Sequence, residues 1–169
     1  MATITITLPK RALEELRRRA EAEGKALEEL VGETLLAQLH MDDPMARAEL
    51  HWELCEKYLR EARALLEEGD YIQASEKAWA AASQAVKAVA AGRGLELRSH
   101  RDLHGFIMRL REETGDEELR RLWHAANELH RNFYEAWLPP EMVIEAVGDA
   151  ERLVEKLRAL AGGTPRGNA

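Results

Sequence analysis

Two hydrophobic periods divide the chain. Residues 3–8 alternate between threonine and an aliphatic side chain, the period-two pattern of a strand with one buried face. Beyond Pro9 the apolar residues recur every three or four positions, the period of amphipathic helices. The pattern therefore predicts one short N-terminal strand followed by helices as far as about residue 161.

The first forty-three residues form a strand-helix-helix unit in this interpretation. Pro9 suits the first turn of a helix that ends near Gly24, and a second helix ends before the Asp42-Asp43-Pro44 break. A lone strand leaves its backbone N–H and C=O groups unpaired, and no other segment of the sequence has a strand pattern. We therefore predict a homodimer in which the 3–8 strands of two copies pair with each other.

Residues 44–161 are predicted to form an antiparallel bundle of about five helices. Breaks fall at Gly69-Asp70, Gly92, Thr114-Gly115-Asp116 and Pro139-Pro140. The first of these helices carries apolar residues in steps of four and three, which is typical of a bundle interface; they are Ala48, Trp52, Cys55, Leu59, Ala62 and Leu66. The second is rich in alanine, which lets a neighbouring helix approach closely. Residues 162–169 are predicted to be a disordered tail. The fold class is mainly α.

Composition limits the functional classes. The net charge of −7 argues against a protein that coats nucleic acid indiscriminately. A single cysteine excludes an internal disulfide framework, and the sequence has neither a signal peptide nor an apolar run long enough to span a membrane. These features predict a soluble cytoplasmic protein. Abundant charges and scarce Asn and Gln are typical of a thermophile.

The N-terminal residues 2–40 resemble the ribbon-helix-helix family of DNA-binding proteins, in which a strand ending in Leu-Pro leads into two helices. The resemblance implies that outward side chains of the strand contact the major groove, here Thr3, Thr5 and Thr7. Threonine makes weaker hydrogen bonds to base edges than basic or amide side chains do. Ala26 stands where that family has a Ser or Thr cap, which removes an acceptor for the helix N-terminus.

Candidate chemistry is concentrated in residues 129–137, which combine an imidazole, a guanidinium, an amide and three aromatic rings. Five of these side chains are candidates for binding RNA or a nucleotide: His130, Arg131, Asn132, Tyr134 and Glu135. The alternative is structural, with Arg131 in surface ion pairs and His130 at the edge of the core. If helical periodicity holds throughout, Arg131 and Asn132 are exposed in a groove near the dimer axis, whereas Phe133 and Trp137 are buried.

The bundle as a whole resembles the HEPN superfamily and, more closely, the archaeal PaREP family. The residues that carry the resemblance are Gly69-Asp70-Tyr71-x-x-Ala74, Ala85-Val86-Lys87-Ala88, Ser99-His100 and the run from His130 to Trp137. HEPN ribonuclease toxins pair Arg, often followed by Asn, with a His five to seven residues later. Arg131-Asn132 matches the first half of that motif, but residues 136–138 are Ala, Trp and Leu. The general base for the ribose hydroxyl is therefore missing.

Two functional hypotheses follow. In the first, the chain is a non-catalytic or weakly active HEPN-like module that binds RNA or a nucleotide, and the resemblance implies a toxin–antitoxin or defence setting. In the second, it is a dimeric DNA-binding regulator whose helical bundle contacts a partner. No cofactor is predicted. No metal site is predicted either, because His100 and His104 alone provide too few ligands.

Overall fold

The computed structural model describes residues 2–162, and helices account for most of them. The helices are α1 (Lys10–Ala22), α2 (Leu27–Gln38), α3 (Pro44–Glu68), α4 (Tyr71–Gly92), α5 (His100–Thr114), α6 (Glu118–Glu135) and α7 (Pro140–Gly162). α4 is central and packs against α3, α5, α6 and α7. The described chain is therefore mainly α and forms a helical bundle, as predicted.

The predicted N-terminal strand is absent from the described part of the single chain. Residues 2–9 have no regular secondary structure and are exposed, with Ile4 81% and Ile6 57% accessible. A strand exists only when its backbone groups pair with a neighbouring strand, and no described segment offers that pairing. The prediction of a strand with one buried face is thus wrong for the single chain.

The helix boundaries follow local capping. Asp43 Oδ1 accepts hydrogen bonds from the backbone N–H groups of Met45 and Ala46, at 2.9 and 3.0 Å. Ser99 and Asp102 form a reciprocal capping box at the start of α5. Gly69 ends α3 with φ +78°, a left-handed conformation that suits a residue without Cβ.

The contact between α3 and α4 is close because α4 presents alanines to it. Ala74, Ala78, Ala81 and Ala85 are fully buried, as is Cys55 on α3. Burial raises the pKa of the Cys55 thiol to about 12, so it is a core residue rather than a nucleophile. The predicted bundle interface is confirmed here.

α2 packs on α3. Gly32 permits the approach, since a Cβ there would lie 2.8 Å from Leu50 Cδ1. α2 buries the carboxylate of Glu29 against the bundle, whereas Leu35 and Leu39 are 51% and 64% exposed. α2 thus buries Glu29 beside the apolar Leu30, and a buried carboxylate is rare unless it is paired.

Among the described residues no helix is long and apolar enough to cross a membrane. Gly162 ends α7, and the rest of the predicted tail, 163–169, lies outside the described residues.

Candidate functional site: a ring-lined groove and a buried polar network

A groove of about 580 Å³ lies between α4, the start of α5, the end of α6 and the turn that joins α1 to α2. Its lining includes the rings of Trp79, His100, His130 and Tyr134. Spacings of three and four residues place His130 and Tyr134 on one side of α6. Both residues are predicted ligands, and the structure brings them together in one cavity.

The rings form a connected cluster. His130 stacks on Trp79, with centroids 4.7 Å apart and planes 30° apart. His100 and Tyr134 each meet His130 edge-on, with centroid distances of 5.0 and 5.3 Å. Trp79 is buried and Tyr134 is 73% exposed, so the cluster runs from the core to the surface.

A second indole extends the cluster inward. Trp123 lies 5.2 Å from Trp79 and donates its indole N–H to His104 Nδ1 at 2.8 Å. Burial lowers the pKa of His130, and the neighbouring His100 lowers it further. Both effects favour the neutral ring, which has one nitrogen donor and one acceptor.

The polar end of the groove lies at the N-terminus of α5. Ser99 and His100 are the first residues there, and Arg98 precedes them. The start of α5 carries its own cap there, because Asp102 accepts from the backbone N–H groups of Arg98 and Ser99. Lys25 and Lys87 also line the cavity, and each is paired with a carboxylate.

Asn132 is structural. It is completely buried, and its amide donates to Ser75 Oγ at 2.9 Å. Its Oδ1 accepts from the backbone N–H groups of Trp137 and Leu138, at 3.0 and 2.8 Å. The prediction that Asn132 is exposed is wrong: it anchors the chain that leaves α6.

Arg131 is exposed, as predicted, but it does not line the groove. It donates to Glu135 at 2.9 Å, and its guanidinium lies 4.9 Å from the ring centre of Trp137. Trp137 is 48% exposed, so the prediction that it is buried is wrong. Phe133, also predicted to be buried, is half-buried. These contacts match the structural alternative for Arg131 and Glu135.

Behind the groove lies a buried polar network that sequence analysis did not identify. Glu29 accepts from Lys87 Nζ at 2.6 Å and from the Gln84 amide at 2.8 Å. Gln84 Oε1 lies 2.7 Å from His51 Nδ1. Glu29, His51 and Gln84 are all at most 5% exposed. Burial lowers the pKa of His51.

A smaller cavity of about 150 Å³ adjoins this network and is lined by Lys25, Glu29, Glu33, His51 and Lys87 among others. Lys25 Nζ lies 2.7 Å from Glu33 Oε2 and 3.1 Å from Glu23 Oε2. Lys25, Glu29 and Lys87 line both cavities, so the groove and the smaller cavity are adjacent. One signal could have revealed the network: Gln84 and Lys87 are polar residues three positions apart in an alanine-rich helix.

Comparison with known families decides the classification. The model of the archaeal PaREP1/PaREP8 family matches residues 50–154, which is more than half of the chain. The chain belongs to this family. The PaREP1/PaREP8 region runs from α3 to α7 and contains the ring cluster, His51, Gln84 and Lys87. α1 and α2 precede it, so the ribbon-helix-helix resemblance of residues 2–40 remains a prediction.

The chain is also similar to a protein from Sulfolobus solfataricus whose crystal structure is known. The two share 28% sequence identity with a TM-score of 0.57, and the match covers 63% of this chain and 94% of that chain. No curated protein matches the chain significantly. The two chains therefore share a similar fold over the matched region.

Proposed function

We propose that the ring-lined groove binds a nucleotide and that this chain is a binding module rather than a ribonuclease. The observation that carries the proposal is Tyr134, whose ring is 73% exposed beside His130, which itself stacks on buried Trp79. An exposed ring supported by buried rings is a preformed surface for a base, and stacking contributes roughly 1–3 kcal/mol per base. A volume of about 580 Å³ suits a ligand of nucleotide size.

The polar end of the groove suits a phosphate. Arg98 and His100 line this end. The backbone N–H groups of Arg98 and Ser99 are already bonded to Asp102, so the Arg98 guanidinium would hold the phosphate. Arg98 is 76% exposed in its side chain and pairs with Glu96 at 3.0 Å. Exposed ion pairs of this kind contribute little, so a phosphate can take the place of Glu96 at low cost.

Charge favours a short ligand over a long nucleic acid. The net charge is −7, and Glu21, Glu23 and Glu76 line the groove together with its cations. A long polyanion would meet repulsion over most of this surface, whereas one nucleotide would meet only the basic end. We therefore propose a mononucleotide as the ligand, with single-stranded RNA as the alternative tested beside it.

The groove does not assemble the ribonuclease pair implied by the HEPN resemblance. Asn132 is buried in structural hydrogen bonds, and Arg131 pairs with Glu135 outside the groove. His130 and His100 are the imidazoles that line it. The groove is therefore proposed to bind a nucleotide without cleaving RNA.

Replacing Tyr134 with alanine is expected to weaken binding of adenosine monophosphate about ten-fold, because one base-stacking surface is lost. The measurement is isothermal titration calorimetry on the full-length chain, repeated with a five-nucleotide single-stranded RNA. Tighter binding of the RNA than of the mononucleotide would favour the RNA alternative.

Arg131→Ala is the matched control for this experiment. Arg131 lies three positions before Tyr134 on the same exposed end of α6, but outside the groove. It is expected to bind the nucleotide as the wild type does. A loss in Arg131→Ala with normal binding in Tyr134→Ala would move the site to the Arg131 side of the helix.

A second candidate function rests on the exposed apolar side chains of the N-terminal unit. Ile4, Ile6, Leu35 and Leu39 are all more than half exposed, and clustered exposed apolar residues are typical of interfaces. We propose that the 3–8 segments of two copies pair as strands, which would cover Ile4 and Ile6. Thr3, Thr5 and Thr7 would then face outward, where DNA could be contacted.

Ile6→Lys is expected to convert a dimer into a monomer, because it places a charge in the proposed interface. Light scattering coupled to size-exclusion chromatography measures this directly. Thr5→Lys makes the same change on the other side of the segment and should leave the dimer intact. A monomeric wild-type protein would contradict the pairing, and absence of any DNA mobility shift at low salt would contradict DNA binding.

A further inference from the structure

We propose that Glu29, Glu33 and His51 bind a divalent transition-metal cation at the smaller cavity. Each residue offers one ligand atom, and the three atoms lie within 4.8 Å of one another. Glu29 and Glu33 are four residues apart on α2, and His51 lies opposite them on α3. Glu29 and His51 are buried, and Glu33 is half-buried at the cavity.

The hydrogen bonds around Gln84 determine which nitrogen of His51 is available. The carboxylate of Glu29 can only accept, so the Gln84 amide nitrogen must point to it. Gln84 Oε1 therefore faces His51, and Nδ1 of His51 must donate to it at 2.7 Å. In the neutral ring, Nε2 then has no proton and presents its lone pair to the cavity.

Nε2 of His51 faces another acceptor. It lies 4.0 Å from Glu33 Oε1, while the other oxygen of Glu33 is bound by Lys25. His51 is 5% exposed, so water has little access to this nitrogen. A cation between Nε2 and Oε1 would satisfy both acceptors, with bonds of roughly 2.0–2.2 Å.

The supporting hydrogen bonds are those of a metal site. A histidine that ligates a metal normally donates its other ring N–H to a partner that orients it. Gln84 is that partner for His51, and Glu29 in turn orients Gln84. Two lysines bind the carboxylates, but each leaves lone pairs free, since a carboxylate has about four acceptor positions.

The local charge also suits a cation. The charged side chains that line the cavity comprise four acidic and three basic groups, which leaves one net negative charge; they are Glu29, Glu33, Asp42, Glu96, Lys25, Arg47 and Lys87. One imidazole and two carboxylates are ligands typical of Zn²⁺, Fe²⁺ and Mn²⁺. Three protein ligands leave coordination positions open towards the cavity of about 150 Å³, as in metal sites that bind water or substrate.

The test uses Co²⁺ as the probe and contains no nucleotide, so its outcome is independent of the groove. Chelator-treated full-length protein is titrated with Co²⁺ and followed by visible absorption. We expect saturable binding of one Co²⁺ per chain with a d–d band, displaced by Zn²⁺. We also expect one strongly shifted exchangeable proton in the paramagnetic NMR spectrum, from the His51 Nδ1–H held by Gln84.

Glu33→Gln is the decisive variant. Its amide can donate to His51 Nε2, so the variant should keep its fold while losing an anionic ligand. Co²⁺ affinity is expected to fall at least ten-fold. Glu96→Gln is the matched control, because Glu96 lines the same cavity without belonging to the ligand set, and it should bind Co²⁺ normally. Absence of saturable binding, wild-type affinity in Glu33→Gln, or absence of the shifted proton would overturn the proposal.

Discussion

Replacing Lys87 with methionine is expected to lower the free energy of unfolding by about 3–5 kcal/mol in metal-free buffer. Lys87 Nζ lies 2.6 Å from Glu29 Oε1, and the side chain of Glu29 is 2% exposed. Methionine keeps most of the volume of the side chain but leaves the carboxylate with the Gln84 amide as its remaining partner in the network. The variant leaves the buried Glu29 carboxylate without a countercharge. This loss of stability is larger than the net stabilisation that the ion pair provides in the wild type.

Urea unfolding in the presence of a chelator measures this effect. Lys10→Met is the matched control, since Lys10 is 91% exposed in its side chain and lies 3.7 Å from Glu14; its expected change is within about 0.5 kcal/mol. Adding Glu29→Gln to Lys87→Met should restore part of the lost stability, because the unpaired charge is removed. A change below 1 kcal/mol for Lys87→Met would show that Glu29 is solvated.

Replacing Asn132 with alanine is expected to destabilise the protein by about 3 kcal/mol. The variant loses three hydrogen bonds and leaves the backbone N–H groups of Trp137 and Leu138 without their acceptor. These donors hold the left-handed turn at Ala136, where φ is +48°, and so join α6 to α7. Thermal and urea unfolding measure the loss.

Asn127→Ala is the control for Asn132→Ala. Asn127 is half-buried on the same helix and donates to the Trp123 carbonyl. Its loss is expected to cost less than 1 kcal/mol. Equal losses of stability in the two variants would contradict the prediction, because the Asn132 hydrogen bonds to the following turn would then add no stability beyond that of a single helix-surface hydrogen bond.

Much of the bundle could be predicted because its signals are local. Apolar residues in steps of three and four determine which helix faces pack, and Asp43, Gly69 and Ser99 determine where helices begin or end through bonds within three or four residues. The strand depended on information that is not local. Its alternation is clear in the sequence, but pairing needs a partner that the described chain does not supply.

The errors at the site have two physical causes. Trp137 was placed by helical periodicity, but α6 ends at Glu135 and Ala136 takes a left-handed conformation, so the period no longer applies. Glu29 and His51 were missed because a helical pattern assigns polar residues to solvent, whereas here they satisfy each other through Gln84. The candidate metal ligands come from two helices whose packing the sequence does not reveal.

The most direct test of the nucleotide-binding groove is to follow the indole N–H signals of the tryptophans by NMR while adenosine monophosphate is added. Trp79 lies in the groove and stacks with His130, whereas Trp137 lies outside it against Arg131. The proposal predicts a saturable shift of the Trp79 signal and no shift of the Trp137 signal. In Tyr134→Ala the Trp79 shift should need about ten-fold more nucleotide to reach its midpoint. A shift of Trp137 alone, or of neither signal at millimolar nucleotide, would contradict it.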